Sequence, residues 1–209
     1  MDHLMNLSCS GFADLLAAKV STPGGGSAAA MAGALGIALC SMAGNFTAGK
    51  KKFAPVEADI QRLLAEGETL RRRFLDLAQA DALALEPLTR AYAIPRDDPS
   101  REATLEEVTR NACQAPLEIL RCGAAALVLM EEMLEKGSRL LVTDVGSGAL
   151  LCKAAMESAA LNIFVNTGTL QNRETAKQLE QEVDAILAAS LPLADRIAAS
   201  VTAIIRKER

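Results

Sequence analysis

Residues 22–53, TPGGGSAAAMAGALGIALCSMAGNFTAGKKKF, decide the fold of this chain. From Ser27 to Ala48 the stretch carries no charge and is rich in Ala and Gly. A helix that is apolar all round is buried on all sides, and its small residues let neighbouring backbones approach closely. The uncharged run, followed by lysines at 50–52, also resembles a membrane span with a positive flank. Because Ala and Gly insert only weakly into lipid, we expect a helix buried within the protein and no membrane partner.

Helical spacing continues on both sides of this segment. Apolar positions predict helices over about residues 11–19, 56–92, 104–135, 143–166 and 175–206, the third of them bent or split at Pro116. Thr104 with Glu107 forms a capping box, and Thr143 or Asp144 is the expected cap of the following helix. Two β-branched runs, 140–142 and 163–165, do not alternate and are interpreted as helix or connector. The predicted fold class is all-α, a single-domain antiparallel helical bundle over residues 1–209.

Composition excludes several function classes. With 22 Lys+Arg and 26 Asp+Glu the formal charge is −4, whereas a general nucleic-acid binder needs a basic surface, so we expect no nucleic-acid partner. The single histidine, His3, leaves almost no room for a Ser-His-Asp triad or a His-based zinc site, and we expect no metal. The five cysteines never form Cys-x-x-Cys and no signal peptide is visible, which is typical of a cytoplasmic protein with reduced thiols.

The first candidate site is the glycine-rich turn, Gly24, Gly25, Gly26 and Ser27, directly before the Ala/Gly helix. Three glycines allow positive φ angles and can gather several N–H groups around one point. The helix that follows adds the positive end of its dipole, so the turn is suited to hold an anion. The alternative is a flexible linker with Ser27 as an ordinary helix cap.

The second candidate is Asp81, which interrupts an apolar seam along the long helix. The seam positions repeat about every seven residues and include Ile60, Leu63, Gly67, Leu70, Phe74, Leu77, Ala84, Leu88 and Ala91. A carboxylate facing inward must be paired or carry a raised pKa, and a raised pKa suits a general acid/base near neutral pH. The alternative, rated equally, is a carboxylate satisfied by Arg, Ser or Thr of a neighbouring helix.

Weaker candidates lie elsewhere in the chain. Asp144 opens a helix that carries Asn162 and Asn166 one turn apart, and each of these residues has an ordinary structural explanation as a cap or a satisfied amide. Lys50 and Lys51 follow the end of the Ala/Gly helix, where cations complement the helix dipole. The three consecutive arginines at 71–73 are interpreted as a solvated face.

Taken together, these segments resemble the cyclodeaminase/cyclohydrolase family of folate one-carbon metabolism. The resemblance rests on Pro23-Gly24-Gly25-Gly26-Ser27, Thr47-Ala48-Gly49-Lys50-Lys51-Lys52-Phe53, Asp81-Ala82-x-Ala84, Ala112-x-x-x-Pro116-Leu117, Asp144 and Asn162-x-x-x-Asn166, in that order. It implies an all-helical subunit that forms a homodimer and binds folate in a cleft near the glycine-rich turn. It also implies that Asp81 is the catalytic acid/base, the residue that the seam singles out.

The resemblance implies hydrolysis of 5,10-methenyltetrahydrofolate to 10-formyltetrahydrofolate, without a cofactor. We expect Asp81 to transfer protons and Asp144 to stabilise charge. In the same hypothesis, the amides of Gly24–Ser27 contact the pterin or the glutamate tail, Asn162 and Asn166 contact the substrate, and Lys50 and Lys51 bind the tail, polyglutamylated or not. The alternatives are a formimidoyltetrahydrofolate cyclodeaminase, which releases ammonia, and a non-catalytic folate-binding protein.

Overall fold

A computed structural model describes residues 3–207, and within that range the chain forms helices and no strand, as the spacing predicts. The α-helices are α1 (Cys9–Ala17), α2 (Gly25–Asn45), α3 (Glu57–Tyr92), α4 (Arg101–Ala112), α5 (Gln114–Lys136), α6 (Val142–Thr167) and α7 (Arg173–Lys207). Short 3-10 turns occupy Leu4–Asn6, Lys51–Val56 and Arg139–Leu141. Both β-branched runs lie in helix or in the turn before α6, so their interpretation is confirmed.

The Ala/Gly helix α2 lies at the centre, antiparallel to α3 on one side and to α6 on the other. Facing α3, Gly33 leaves room for the fully buried ring of Phe74: an added Cβ would lie 2.7 Å from its Cζ atom. Facing α6, an added Cβ at Gly36 would lie 2.8 Å from the carbonyl oxygen of Gly148. Small residues of α2 therefore allow the close approach of both α3 and α6, which is why the central stretch contains so little side-chain volume.

The remaining helices complete the antiparallel bundle. On α5, Gly123 faces Met156 of α6, and on α6, Gly146 faces Val201 of α7. The thiols of four cysteines are buried and free, while Cys9 is exposed. Burial raises the pKa of the Cys40 and Cys152 thiols to about 12, so neither is a nucleophile near neutral pH. The three arginines at 71–73 form ion pairs with Glu68 and Glu118 on the surface, as expected.

Three helix starts differ from their predictions. The capping box does not form, because α4 begins at Arg101 and the Thr104 hydroxyl donates back to the Ser100 carbonyl within the first turn. Thr143 and Asp144 do not cap α6, since a 3-10 turn leads directly into its start at Val142. The predicted third helix is split as expected, but at Cys113, with Pro116 in the first turn of α5, where its missing N–H is tolerated.

Within the described residues, four helical stretches are long and apolar enough to cross a membrane, judged by length and composition alone: Gly25–Asn45, Arg101–Lys136, Arg139–Thr167 and Arg173–Lys207. In this fold the four stretches pack against one another around a common core. The most apolar window of Gly25–Asn45 is 56% buried among its neighbours. Apolar side chains of α2 are thus used largely for packing within the bundle.

Candidate functional site

A pocket opens at the N-terminal end of α2, where α3, α4, α5 and α6 converge on the glycine-rich turn. Its volume is about 240 Å³, and it is lined by Ser21, Thr22, Gly24, Gly25, Gly26, Asp81, Ala84, Leu85, Leu88, Ala112, Pro116, Asn162, Val165 and Asn166. Among the described residues of this lining, Asp81 is the only ionisable one. Apart from that one carboxylate, the described part of the lining is uncharged.

Asp81 is held by Ser27. The Ser27 hydroxyl lies 3.0 Å from Asp81 Oδ2 and 2.9 Å from the Ala78 carbonyl oxygen, one turn earlier on α3. The Ser27 side chain is fully buried, while Asp81 is half-buried and reaches the pocket. The two alternatives left open by the sequence thus coexist: the carboxylate has a serine partner on a neighbouring helix, and it remains accessible to a ligand.

The environment of Asp81 favours the protonated form. Burial raises the pKa of its carboxyl above the ordinary value, and hydrogen bonds from the Ser27 hydroxyl and the Ser27 backbone N–H partly oppose that rise. Among the described residues that line the pocket, there is no cation to stabilise the ionised form. An aspartate in this setting can exchange a proton with a ligand at a pH closer to neutral than an exposed one.

Gly24, Gly25 and Gly26 line the pocket, but the backbone of the glycine-rich turn differs from the one expected. The positive φ angles predicted there are absent: among the described residues only Gly49 has a positive φ, at 72°. Gly24 is extended and precedes α2, and Gly25 and Gly26 are its first residues, so Ser27 is not the cap. Gly26 is needed for close approach, because an added Cβ would lie 2.5 Å from Asp81 Cγ. The Thr22–Pro23 peptide bond is cis.

Both asparagines of α6 face the pocket. Asn162 packs against Gly25, whose added Cβ would lie 3.5 Å from Asn162 Nδ2, and this amide donates to the Ser158 carbonyl oxygen. The Asn166 side chain donates a hydrogen bond to the Cys113 thiol. Burial raises the pKa of that thiol to about 11, and the hydrogen bond partly opposes the rise. The pocket lining therefore combines amide groups with a carboxylate, a set that suits a heterocycle with both donors and acceptors.

Four of the residues predicted for the site do not line this pocket: Ser27, which is buried and contacts Asp81, and Asp144, Lys50 and Lys51, which lie far from it. Lys50 and Lys51 follow the far end of α2, and 21 helical residues separate the two ends by roughly 30 Å. Asp144 belongs to the same far end, because α6 runs antiparallel to α2. A hydrogen bond from the Ser138 N–H to Thr47 Oγ1, 2.8 Å long, ties α2 to the segment before α6 there. Within one chain, the predicted site residues thus form two separate groups.

The structure also adds residues that sequence reasoning did not assign to the site. Ser21, Thr22, Leu85 and Val165 line the pocket, and an apolar groove of about 600 Å³ adjoins it across Ser21, Thr22 and Leu85. The seam offered one signal, since Ala84 and Leu88 continue it past Asp81 and form the pocket wall. Within residues 3–207, no three His, Cys, Asp or Glu side chains converge as metal ligands would.

Comparisons with known proteins agree on one relationship. A family model described as formiminotransferase-cyclodeaminase matches residues 8–185. The chain is 37% identical over 190 residues to a methenyltetrahydrofolate cyclohydrolase of Methylorubrum extorquens, covering 89% of this chain and 91% of that one. It is 28% identical over 173 residues to the formimidoyltransferase-cyclodeaminase of Sus scrofa, but spans 32% of that protein against 81% of its own length. A crystal structure of a formiminotetrahydrofolate cyclodeaminase from Thermotoga maritima matches with a TM-score of 0.90 at 26% identity, over 97% of this chain and 99% of that one.

Proposed function

The chain belongs to the formiminotransferase-cyclodeaminase family, and from that premise we propose that it hydrolyses 5,10-methenyltetrahydrofolate to 10-formyltetrahydrofolate. The observation that carries the proposal is the lone half-buried carboxylate of Asp81 in an otherwise uncharged pocket. The substrate carries a delocalised cation between two nitrogens, so one carboxylate beside it both balances its charge and exchanges protons. The similarity to a cyclohydrolase along nearly the whole of both chains favours this reaction.

In the proposed mechanism Asp81 acts first as a base. It takes a proton from water while the water oxygen bonds to the carbon between N5 and N10, which gives a neutral tetrahedral adduct. The protonated Asp81 then gives its proton to N5 as the bond from that carbon to N5 breaks. The adduct hydroxyl loses its proton as the formyl C=O forms on N10, so one proton is released in each turnover. Asp81 ends ionised, and the reaction needs no metal or organic cofactor.

Cyclodeamination is the second candidate, favoured by the matching structure of a formiminotetrahydrofolate cyclodeaminase. N10 would attack the formimino carbon, and ammonia would leave after protonation by the same carboxyl group. Purified protein with methenyltetrahydrofolate separates the two, since hydrolysis removes the near-ultraviolet chromophore of that substrate. Loss of the chromophore faster than in buffer supports the cyclohydrolase. If the protein instead forms this chromophore from 5-formimidoyltetrahydrofolate and releases ammonia, but does not hydrolyse the methenyl compound, the result supports the cyclodeaminase.

We propose further that the protein works as a homodimer, through the outer face of α2 and α6. Leu35 of α2 is 54% exposed and Leu161 of α6 is 66% exposed. Between the two helices runs a groove of about 360 Å³, whose described lining holds no charged residue: Gly25, Ala28, Ala29, Ala32, Ala154, Ser158, Leu161 and Asn162. A second copy of the chain is the occupant that we propose for this apolar face, since a two-fold axis brings the same patch of both copies together.

A dimer also offers a role to the distant group of site residues. If the two α2 helices pack antiparallel about a two-fold axis, the Lys50 end of one copy lies beside the Gly25 end of the other. Lys50 and Lys51 would then reach the glutamate tail of a folate bound to the partner, and Asp144 would approach the same site. Replacing both lysines by Ala is expected to raise KM for polyglutamylated substrate more than for the monoglutamate. An equal change for both substrates would contradict this role.

Finally, we propose that the protein acts in the cytoplasm with a folate as its partner, away from membranes and nucleic acids. The formal charge of −4 and the free buried thiols support this location. Fractionation of cell extract tests it: the protein is expected in the soluble fraction without detergent, and recovery in the membrane fraction would contradict it.

A further inference from the structure

The Ser27 hydroxyl has two acceptors and one proton. Its oxygen lies 3.0 Å from Asp81 Oδ2 and 2.9 Å from the Ala78 carbonyl oxygen, so it can donate fully to only one of them at a time. Both acceptors belong to α3, three residues apart, whereas Ser27 comes from α2. An ordinary structural serine needs one acceptor, and the second acceptor here is the group whose charge changes in the proposed reaction.

The protonation state of Asp81 decides which acceptor is better. An ionised carboxylate accepts a stronger hydrogen bond than an amide carbonyl, so the hydroxyl donates to Oδ2. Once Asp81 is protonated, its remaining acceptor capacity is weaker, and the Ala78 carbonyl becomes the better partner. Because Ser27 is fully buried, its hydroxyl must keep a partner in both states, and Ala78 provides one within a bond rotation.

We propose that Ser27 is a positioning residue whose hydroxyl follows the protonation state of Asp81, donating to Oδ2 of the carboxylate and turning to the Ala78 carbonyl when the carboxyl is protonated. The switch needs no movement of either helix, because both acceptors lie within hydrogen-bond distance of the same hydroxyl. The buried hydroxyl therefore has a hydrogen-bond acceptor both when Asp81 is ionised and when it is protonated. This inference rests on the proposed function, in which Asp81 alternates between base and acid.

Few other groups can produce the same titration. From α2 and the turn before it come Ser21, Thr22 and glycines, from α4 and α5 come Ala112 and Pro116, and from α6 come Asn162, Val165 and Asn166, none of them ionisable. Cys113, beside Asn166, has a pKa raised to about 11 by burial and stays neutral. Glu86, on α3, lines the adjoining groove and not this pocket.

The test is a titration without substrate. In protein labelled with carbon-13 at Asp carboxyl and Ala carbonyl groups, the Asp81 signal is assigned by its loss in Asp81→Asn, and the Ala78 signal by its loss in Ala78→Gly. We expect the Ala78 carbonyl shift to change with the same midpoint as Asp81 in the wild type. In Ser27→Ala we expect that response to disappear and the midpoint of Asp81 to move to higher pH, because a donor to the charged form has been removed.

Ser41→Ala is the matched control. Ser41 also lies on α2, and its hydroxyl donates to the Ile37 carbonyl oxygen over 3.1 Å, more than a dozen residues from the pocket. It should leave both titrations as in the wild type. Should Ser27→Ala not fold, Ser27→Cys retains a side chain with only a weak donor and is expected to move the Asp81 midpoint in the same direction.

Activity provides a second readout. If Asp81 must be ionised in the free enzyme, Ser27→Ala is expected to lower kcat/KM roughly tenfold on the acid side of the profile and much less above it. A uniform loss at every pH would indicate a merely structural serine and overturn the proposal, as would an Asp81 midpoint unchanged by Ser27→Ala. Retention of hydrolysis by Asp81→Asn would instead overturn the proposed function, so the two failures are distinguishable.

Discussion

Gly26 is the residue whose replacement tests the geometry of the pocket most sharply. It lies at the N-terminus of α2, where its missing side chain leaves room for the Asp81 carboxylate. In Gly26→Ala the new Cβ would lie 2.5 Å from Asp81 Cγ, whereas ordinary contact begins at 3.4 Å. Asp81 Oδ1 lies closer still to the new Cβ, so the carboxyl group must move away by at least about 0.9 Å, the difference between those two distances.

The expected consequence is a loss of rate with little loss of stability. A misplacement of about 1 Å at a reacting group can reduce the rate about 10²-fold, so kcat/KM for methenyltetrahydrofolate should fall by about that factor. The fold should persist, because the clash involves the end of a side chain and Ala favours a helix over Gly by about 0.5–1 kcal/mol. The assay follows the loss of the substrate chromophore, with urea unfolding of the same preparation.

Gly25→Ala is the comparison variant. Its Cβ would meet Asn162 Nδ2 at 3.5 Å, which is ordinary contact and does not displace Asp81. We expect a rate loss at least roughly tenfold smaller than for Gly26→Ala, since Asp81 keeps its position. Equal losses in both variants, or a Gly26→Ala enzyme as fast as the wild type, would refute the argument that the closeness of Asp81 to α2 matters for catalysis.

Three further predictions concern the pKa of Asp81, the packing of α2 against α6 and the proposed dimer interface. Because burial raises the pKa of Asp81, kcat/KM should fall as the pH drops through that raised pKa. The protonated carboxyl contributes stability that is fully present below the pKa of an unfolded aspartate and is lost as the pH rises through the pKa of the folded state. Asp81→Asn should therefore flatten that part of a plot of unfolding free energy against pH. Gly148→Ala should lower the free energy of unfolding in urea by about 1–3 kcal/mol, because its Cβ would lie 2.6 Å from the Gly36 carbonyl oxygen. Leu161→Glu should convert a dimer to a monomer in light scattering, whereas the control Val128→Glu should not, since Val128 is also more than half exposed but lies on α5. A dimer that survives Leu161→Glu contradicts the proposed interface.

Much of the fold could be predicted because the pattern of α2 admits few structures. An uncharged helix of small residues has to lie at the centre of the bundle, and the structure places it there between α3 and α6. The starts of α4 and α6 could not be predicted from local motifs. Thr104 and Asp144 are good cap residues in isolation, but the preceding turns had already begun each helix.

The site was partly predictable for a similar reason. Asp81 stood out because a carboxylate in an apolar seam requires an explanation in a chain of any fold. Its partner could not be found in the same way, since Ser27 lies 54 residues away and the contact depends on the register between α2 and α3. The register likewise places Lys50 and Asp144 at the opposite end of the bundle from Asp81, which no local spacing reveals.

The most direct test of the central claim compares the wild type with Asp81→Asn in hydrolysis of methenyltetrahydrofolate. Asn has nearly the same shape and can still accept the Ser27 hydroxyl, so the fold and the pocket are expected to persist while proton transfer is lost. We expect rapid hydrolysis by the wild type and a rate lower by a factor of about 10²–10⁴ in the variant, with substrate still bound. A variant that hydrolyses the substrate as fast as the wild type, or a wild type that binds folate without accelerating hydrolysis, would contradict it.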